Sequence, residues 1–153
     1  MEKWGHTMKG RLKAQCLAAL QKRAEELQRA VESIQSARNN ETKSSAGDKY
    51  ETGRAMMQME EDKIMSQLDQ ARLQLQQLKA LPDYSGPNIR SGSLVRTQHR
   101  RYFLSASLGK VLLEGEPVYC ISTQAPLAQQ LLGKSAGDKV AFNGQEEAIL
   151  EVA

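Results

Sequence analysis

Two heptad seams separated by a short polar break constrain this chain more than any other feature. Residues 9–39 contain no proline, and Gly10, at the very start, is their one glycine. Leu17, Leu20, Ala24, Leu27, Val31 and Ile34 follow one another in steps of three and four. That spacing keeps a single apolar stripe along a helix. The residues between them are mostly Gln, Lys, Arg and Glu, which are good helix formers. Residues 39–48 are then polar and rich in turn formers. A second seam follows at Met57, Glu61, Ile64, Leu68, Ala71, Leu75 and Leu78. Glu61 interrupts it near the tip, where least burial is expected. The seam stops at Leu81-Pro82, because proline lacks an N–H and holds the preceding residue out of the helical region. Each helix of about 30 residues spans about 45 Å. Seams of similar length joined by a short polar segment fold back on each other as an antiparallel hairpin. A coiled-coil dimer of two chains is the competing arrangement, and the turn-rich break favours the hairpin.

Beyond Pro82 the periodicity changes. Residues 82–88 (Pro-Asp-Tyr-Ser-Gly-Pro-Asn) read as a linker. Short β-type runs follow at residues 93–97, 102–105, 110–113 and 118–122, with Gly109 and Gly115 as turn residues. Pro126 suits the first position of a short helix over residues 126–132, and Gly133 suits its C-terminal cap. Two more strands fit residues 139–142 and 148–152. The expected organisation is a helical hairpin over 1–81 with its tip at about 40–51, a linker over 82–92, and a small α+β module with an antiparallel sheet over 93–153.

Size and composition exclude several classes. A chain of 153 residues has room for one ordinary domain, or for a long hairpin and one small domain, and for no large two-layer enzyme. The net charge of +3 is concentrated in residues 1–80, while residues 81–153 are balanced. An excess this small and this mixed does not describe a protein that binds free DNA. The two cysteines, Cys16 and Cys120, lie in different halves without CxxC or Cys/His spacing, so no structural zinc site is expected. Two isolated thiols, no apolar signal core and no membrane-length run point to a cytoplasmic protein.

Two segments resemble the Gre family of bacterial transcript-cleavage factors, GreA/GreB-like. The first is Gly47-Asp48-Lys49-Tyr50-Glu51 at the hairpin tip, where the family carries Gly-Asp-x-x-Glu. The second covers residues 122–140, with Ala125-Pro126-Leu127 leading into Leu131-Leu132-Gly133-Lys134 and then Gly137-Asp138-Lys139-Val140. It is similar to the C-terminal signature in which a Ser-Pro-Leu/Ile helix enters Leu-Leu-Gly-Lys-x-x-Gly-Asp-x-Val. This second motif is the more specific, because it sets about nine positions in order. Ala125 stands where the family usually has Ser, which removes a side-chain N-cap worth about 1 kcal/mol. After Glu51 the family tends to continue Asn-Ala-Glu-Tyr, whereas this chain has Thr52-Gly53-Arg54-Ala55.

The resemblance implies an FKBP-like C-terminal domain without isomerase activity that docks on RNA polymerase. It also implies a hairpin that enters the polymerase secondary channel. Asp48 and Glu51 would act there in trans as catalytic and metal-holding carboxylates, sharing a magnesium ion with the polymerase. They would promote cleavage of backtracked RNA in a complex where the transcript is met. The isolated chain, an accessory factor rather than an enzyme, would be monomeric and bind no metal. Magnesium accepts such sharing, since it takes hard oxygen ligands and is usually held by one or two carboxylates plus phosphates. Lys43, Lys49, Tyr50 and Arg54 flank the tip as candidate partner contacts, and Pro126, Leu127, Gly133, Lys134 and Asp138 are the corresponding candidates in the C-terminal motif. Arg96, His99, Arg100 and Arg101 form a further local basic turn.

Simpler readings stand beside these. Asp48 with Glu51 three residues on is also a capping-box variant that satisfies helix N-terminal N–H groups. The flanking charges also fit a solvated surface, and the Met56, Met57 and Met59 cluster fits adaptable packing. Two other functions compete with cleavage: a secondary-channel regulator that does not cleave, and an FKBP-type isomerase or peptide-binding module. No nucleophile–base pair or phosphate loop supports a stand-alone enzyme.

Overall fold

The computed structural model describes residues 5–43 and 48–153, with the backbone alone at residues 6, 41–43 and 48–51. The chain runs α1 (His6–Lys43), α2 (Asp48–Lys79), β1 (Leu94–Thr97), β2 (Arg101–Leu104), β3 (Gly109–Leu113), β4 (Glu116–Ile121), α3 (Pro126–Leu131), β5 (Lys139–Phe142) and β6 (Gln145–Val152). The architecture is thus a pair of long helices followed by a β-sheet domain with one short helix. By compactness the chain divides into residues 18–75 and a second unit that joins residues 1–17 to residues 76–153.

In the first unit both seams are buried. Leu20, Val31, Leu68 and Ala71 are almost fully enclosed, and Ala24, Leu27, Ile34, Met57, Ile64 and Leu75 are half-buried. The direction of packing follows from cross-helix contacts. Arg72 Nη2 donates to Gln28 Oε1 at 2.8 Å, and Arg38 Nη1 donates to Gln58 Oε1 at 2.8 Å. As the residue number rises on α1 the partner's number falls on α2, so the helices are antiparallel. α1 continues helically through Asn39–Lys43, further than the polar composition suggested. Asn and Thr cost a helix only a few tenths of a kcal/mol, about as much as Val.

Glu61 departs from its expected exposure: it is 9% accessible. Arg38 lies across the seam and brings Nη1 within 2.9 Å of Glu61 Oε2. The approach is an ion contact and not an aligned hydrogen bond, since Oε2 has no hydrogen-bond partner among the described residues. A buried carboxylate needs that countercharge, because removing one partner of a buried pair commonly costs about 3–5 kcal/mol.

In the second unit the six strands form one sheet in the order β3-β4-β2-β1-β6-β5. The expectation of a purely antiparallel sheet is corrected, because β2 and β4 run parallel, with Tyr102 opposite Tyr119 and Phe103 opposite Cys120. The reason lies in the β3–β4 hairpin. β2 leads into β3 at the sheet edge, and a tight turn returns β4 into the gap beside β2. Both central residues of that turn have positive φ, Glu114 at 53° and Gly115 at 80°, the signature of a type I′ hairpin. Asn143 and Gly144 repeat it between β5 and β6.

Both sheet faces are covered. One carries the core of Ile89, Val95, Tyr102, Leu104, Ala128, Leu131, Val140 and Ile149, closed by α3. The opposite face meets the first turns of α1, where Cys16 Sγ lies 3.9 Å from Cys120 Sγ of β4. Arg11 bonds Glu114 in the β3–β4 turn, and Gln15 Nε2 donates to the carbonyl of Leu112. Leu12, on the same helix face as Cys16, is fully enclosed.

Residues 82–92 form no helix or strand, and Ile89 and Gly92 among them are buried. Ile89 is 1% exposed, and the Arg90 guanidinium lies 4.9 Å from the Tyr84 ring centroid. Gly92, at φ +92°, passes so close to Pro82 that a Cβ would meet its carbonyl oxygen at 2.8 Å. The Lys9 ammonium, itself buried, donates to the carbonyl of Tyr84.

Two measurements test these assignments. Arg38→Met, which strands Glu61, is expected to lower unfolding stability by about 2 kcal/mol, less than for a fully buried pair because Arg38 is partly exposed. Glu61→Leu, which completes the seam, is expected to be neutral or stabilising in the same urea titration. Separately, burial holds the Lys9 ammonium below its ordinary value of 10.5, with Asp83 opposing the shift. The unfolded chain therefore holds more of that proton just below pH 10.5, and unfolding takes a proton up. The stability difference between wild type and Lys9→Met should rise with pH through that window. A flat difference would rule the assignment out.

Candidate functional site

The C-terminal motif folds as a short helix entered without a side-chain cap. Ala125 has the extended backbone of an N-cap residue, φ −67° and ψ 145°, but no side-chain cap bond, and Pro126 follows at the start of the helix. α3 ends one residue before the expected boundary, and Gly133 follows at φ +84°. That left-handed conformation costs glycine nothing and any other residue strain.

The motif then closes on the linker. Gly133 N donates to Ile89 O at 2.9 Å, and Ile89 N donates to Lys134 O at 2.8 Å. Asp138 Oδ2 accepts from Ser135 N at 2.9 Å and from the Ser135 hydroxyl at 3.3 Å. Gly137 N and Ile149 N pair across the same turn with Ile149 O and Asp138 O, each at 2.8 Å. Gly133 and Asp138 therefore shape the loop. Pro126 is exposed, Leu127 is half-buried against the core, and the Lys134 side chain is half-exposed. The structure thus gathers these five residues around α3 and its exit.

The tip candidates sit at the facing ends of the two helices. Lys43 is the last residue of α1; Asp48 opens α2, and Lys49, Tyr50 and Glu51 fall in its first turn. Their side chains lie outside the described residues. Arg54, one turn further on, is exposed. Two residues read as packing are instead on the surface: Met56 is 66% and Met59 72% exposed, while Met57 alone of the cluster enters the seam. Met56 and Met59 are three apart and share a helix face. Neither falls on the Met57–Glu61–Ile64 phase, which places both off the seam.

The basic turn between β1 and β2 borders a groove of about 420 Å³ lined by Arg96, His99, Arg100, Arg101, Glu116 and Tyr119, among others. Its cations are largely committed. Arg96 bonds Glu151, Arg101 bonds Glu116, and the Arg100 guanidinium stands 5.4 Å from the Tyr119 ring centroid. Beside it, Tyr102 and Tyr119 pack at 6.1 Å between centroids, and burial raises the Tyr102 hydroxyl above its ordinary pKa. Tyr102 and Phe103 are successive on β2 and face opposite sides of the sheet. Phe103 therefore lies apart from the Tyr102–Tyr119 pair, while Phe142 lines a cavity together with Tyr102.

Among the described residues no group of three or more His, Cys, Asp or Glu is placed to hold a metal ion. No helix among them is long and apolar enough to cross a membrane.

No family model matches the chain, and no curated protein does. Among solved structures it is similar to the GreA factor homolog 1 (Gfh1) protein of Thermus thermophilus, with 21% identity, 92% of this chain and 94% of that one covered, and a TM-score of 0.35. A second structure, described as the transcription factor Gfh1, gives 22% identity, 92% coverage of each chain and a TM-score of 0.32. Gfh1 of Thermus aquaticus gives 19% identity, 84% and 92% coverage and a TM-score of 0.31. These descriptions agree with the Gre resemblance carried by residues 47–51 and 122–140. They correct the expected activity. All three structures are of Gfh1, a GreA homologue, and none is described as a transcript-cleavage factor, so stimulation of RNA cleavage is not retained as the function.

The uncapped α3 makes a direct prediction. Ala125→Ser places a hydroxyl where the backbone already has N-cap geometry. It is expected to raise unfolding stability by about 0.5–1 kcal/mol, measured by urea titration against wild type. A loss of stability would show that the N-terminus of α3 is satisfied in another way.

Proposed function

We propose that this chain is a Gre-type factor that binds RNA polymerase and occupies its secondary channel with the α1/α2 hairpin, without stimulating transcript cleavage. The observation that carries this reading is one chain joining a long antiparallel hairpin to a small sheet domain that bears the residue 122–140 motif. In this reading Pro126, Leu127 and Lys134 form the docking contact on polymerase. Gly133 and Asp138 hold the loop that presents it.

At the other end Lys43, Lys49, Tyr50 and Arg54 meet the channel wall or the transcript, and exposed Met56 and Met59 add adaptable apolar contact. Asp48 and Glu51 approach the polymerase magnesium within the complex only, since two carboxylates without further ligands hold magnesium weakly. Held there without a cleavage step, they compete with the incoming substrate for the ion. The factor is cytoplasmic, monomeric and no enzyme by itself.

The test is a paired assay on purified bacterial polymerase. The chain should co-purify with polymerase, slow nucleotide addition, and leave backtracked complexes uncut. Asp48→Asn with Glu51→Gln should relieve the inhibition by roughly tenfold or more, the loss of about one charge-assisted contact, while binding persists. Leu127→Asp should abolish binding. Cleavage stimulated by the wild-type chain, or inhibition indifferent to the tip pair, would exclude the proposal.

A further inference from the structure

Cys16 and Cys120 are the two cysteines of the chain, 104 residues apart in sequence. The fold places their sulfurs 3.9 Å apart, with each residue 2% exposed or less. Cys16 is on the first turns of α1, and Cys120 is on β4 beside Phe103 of β2. Both residues belong to the same compact unit. Neither thiol is needed for the hairpin seam or for the α3 motif, and small apolar residues would fill either position.

The geometry points to an oxidation site: Cys16 and Cys120 form an intramolecular disulfide that locks the start of α1 onto the sheet when the protein meets a hydroperoxide. The atoms balance in two steps. One thiolate of the pair attacks the peroxide oxygen, giving a sulfenic acid and, with hydrogen peroxide, one water. The other sulfur then attacks the oxidised one, and the sulfenic oxygen leaves as a second water. Peroxide is reduced and the two thiols are oxidised.

The two thiols titrate as a pair. The hydrogen bond between them lowers the pKa of Cys16, whereas that bond and burial push Cys120 well up. In such a pair the first proton leaves more easily and the second with more difficulty. Either sulfur, once oxidised, has the other within 3.9 Å to resolve it when the helix closes again. Because both are enclosed, peroxide reaches them only when the start of α1 lifts from the sheet. The oxidation rate is therefore set by that opening.

The consequence is mechanical. A bond between residues 16 and 120 closes a loop of about 100 residues, which removes much of the freedom of the unfolded chain. For a protein of this length the expected rise in melting temperature is about 10 °C.

The experiment treats the full chain with hydrogen peroxide, with and without a urea concentration below the unfolding transition. Expected is a monomer lighter by two hydrogens, unreactive toward a thiol reagent and melting about 10 °C higher. Urea should speed its formation, and dithiothreitol should reverse it. Cys16→Ala and Cys120→Ala should each lose the cross-link and the shift. Should either variant fail to fold, peptide mapping of the oxidised wild type identifies the bond. Disulfide-linked dimers alone, sulfinic acid without a cross-link, no cross-link even in urea, or a cross-link with an unchanged or lower melting temperature would each overturn the proposal.

Discussion

The burial of the first turns of α1 against the sheet is the contact on which the C-terminal unit depends. A small sheet with a single six-residue helix covers one face and leaves the other in water. Here the second face carries apolar residues too: Leu94, Phe103 and Cys120 are each 1% exposed or less. A sheet so apolar on both sides is stable only when both are covered. The cover is supplied by residues 9–16 of the other end of the chain, through Leu12 and Cys16 with Lys9, Arg11 and Gln15 at the rim. The sheet domain therefore does not begin where its first strand begins.

Along the hairpin, apolar seams supply affinity between the helices, and the Arg38–Glu61 contact restricts how they pair. Leucine packs against leucine in several registers, since an apolar stripe looks much the same after a shift of one heptad. A buried carboxylate does not: any shift that parts Glu61 from Arg38 leaves a charge unpaired. The same sequence feature that weakens the seam as a hydrophobic pattern makes one alignment preferable. Buried polar groups are used in this way in coiled coils, where they set register at some cost in stability.

The candidate residues divide by what the fold asks of them. Gly133 and Asp138 are occupied in closing a turn, so their places in the motif reflect shape. Pro126 is exposed, and Leu127 and Lys134 keep part of their surface accessible, so the proposed docking contact draws on them. The basic turn at residues 96–101 is, in sequence, a local cluster of surface cations. In the structure Arg96 and Arg101 are bonded to Glu151 and Glu116, fifty-five and fifteen residues away. Ion pairs with such distant partners are invisible to a reading of local charge.

Read alone, the sequence was sufficient for the two helices, all six strands, the short helix and the break at Pro82. Each of these rests on local physics: a period of 3.5 or 2, a proline, a glycine at positive φ. It also carried the Gre-type motifs, which are local strings of residues. Three things were decided by the tertiary structure. The parallel pairing of β2 with β4 depends on which strand fills a gap, and strand composition does not encode that. The burial of Glu61 depends on Arg38 from the other helix. The meeting of Cys16 with Cys120 depends on α1 covering the sheet. Each joins residues at least fifteen positions apart in the chain, where periodicity has no information and packing alone determines the neighbour.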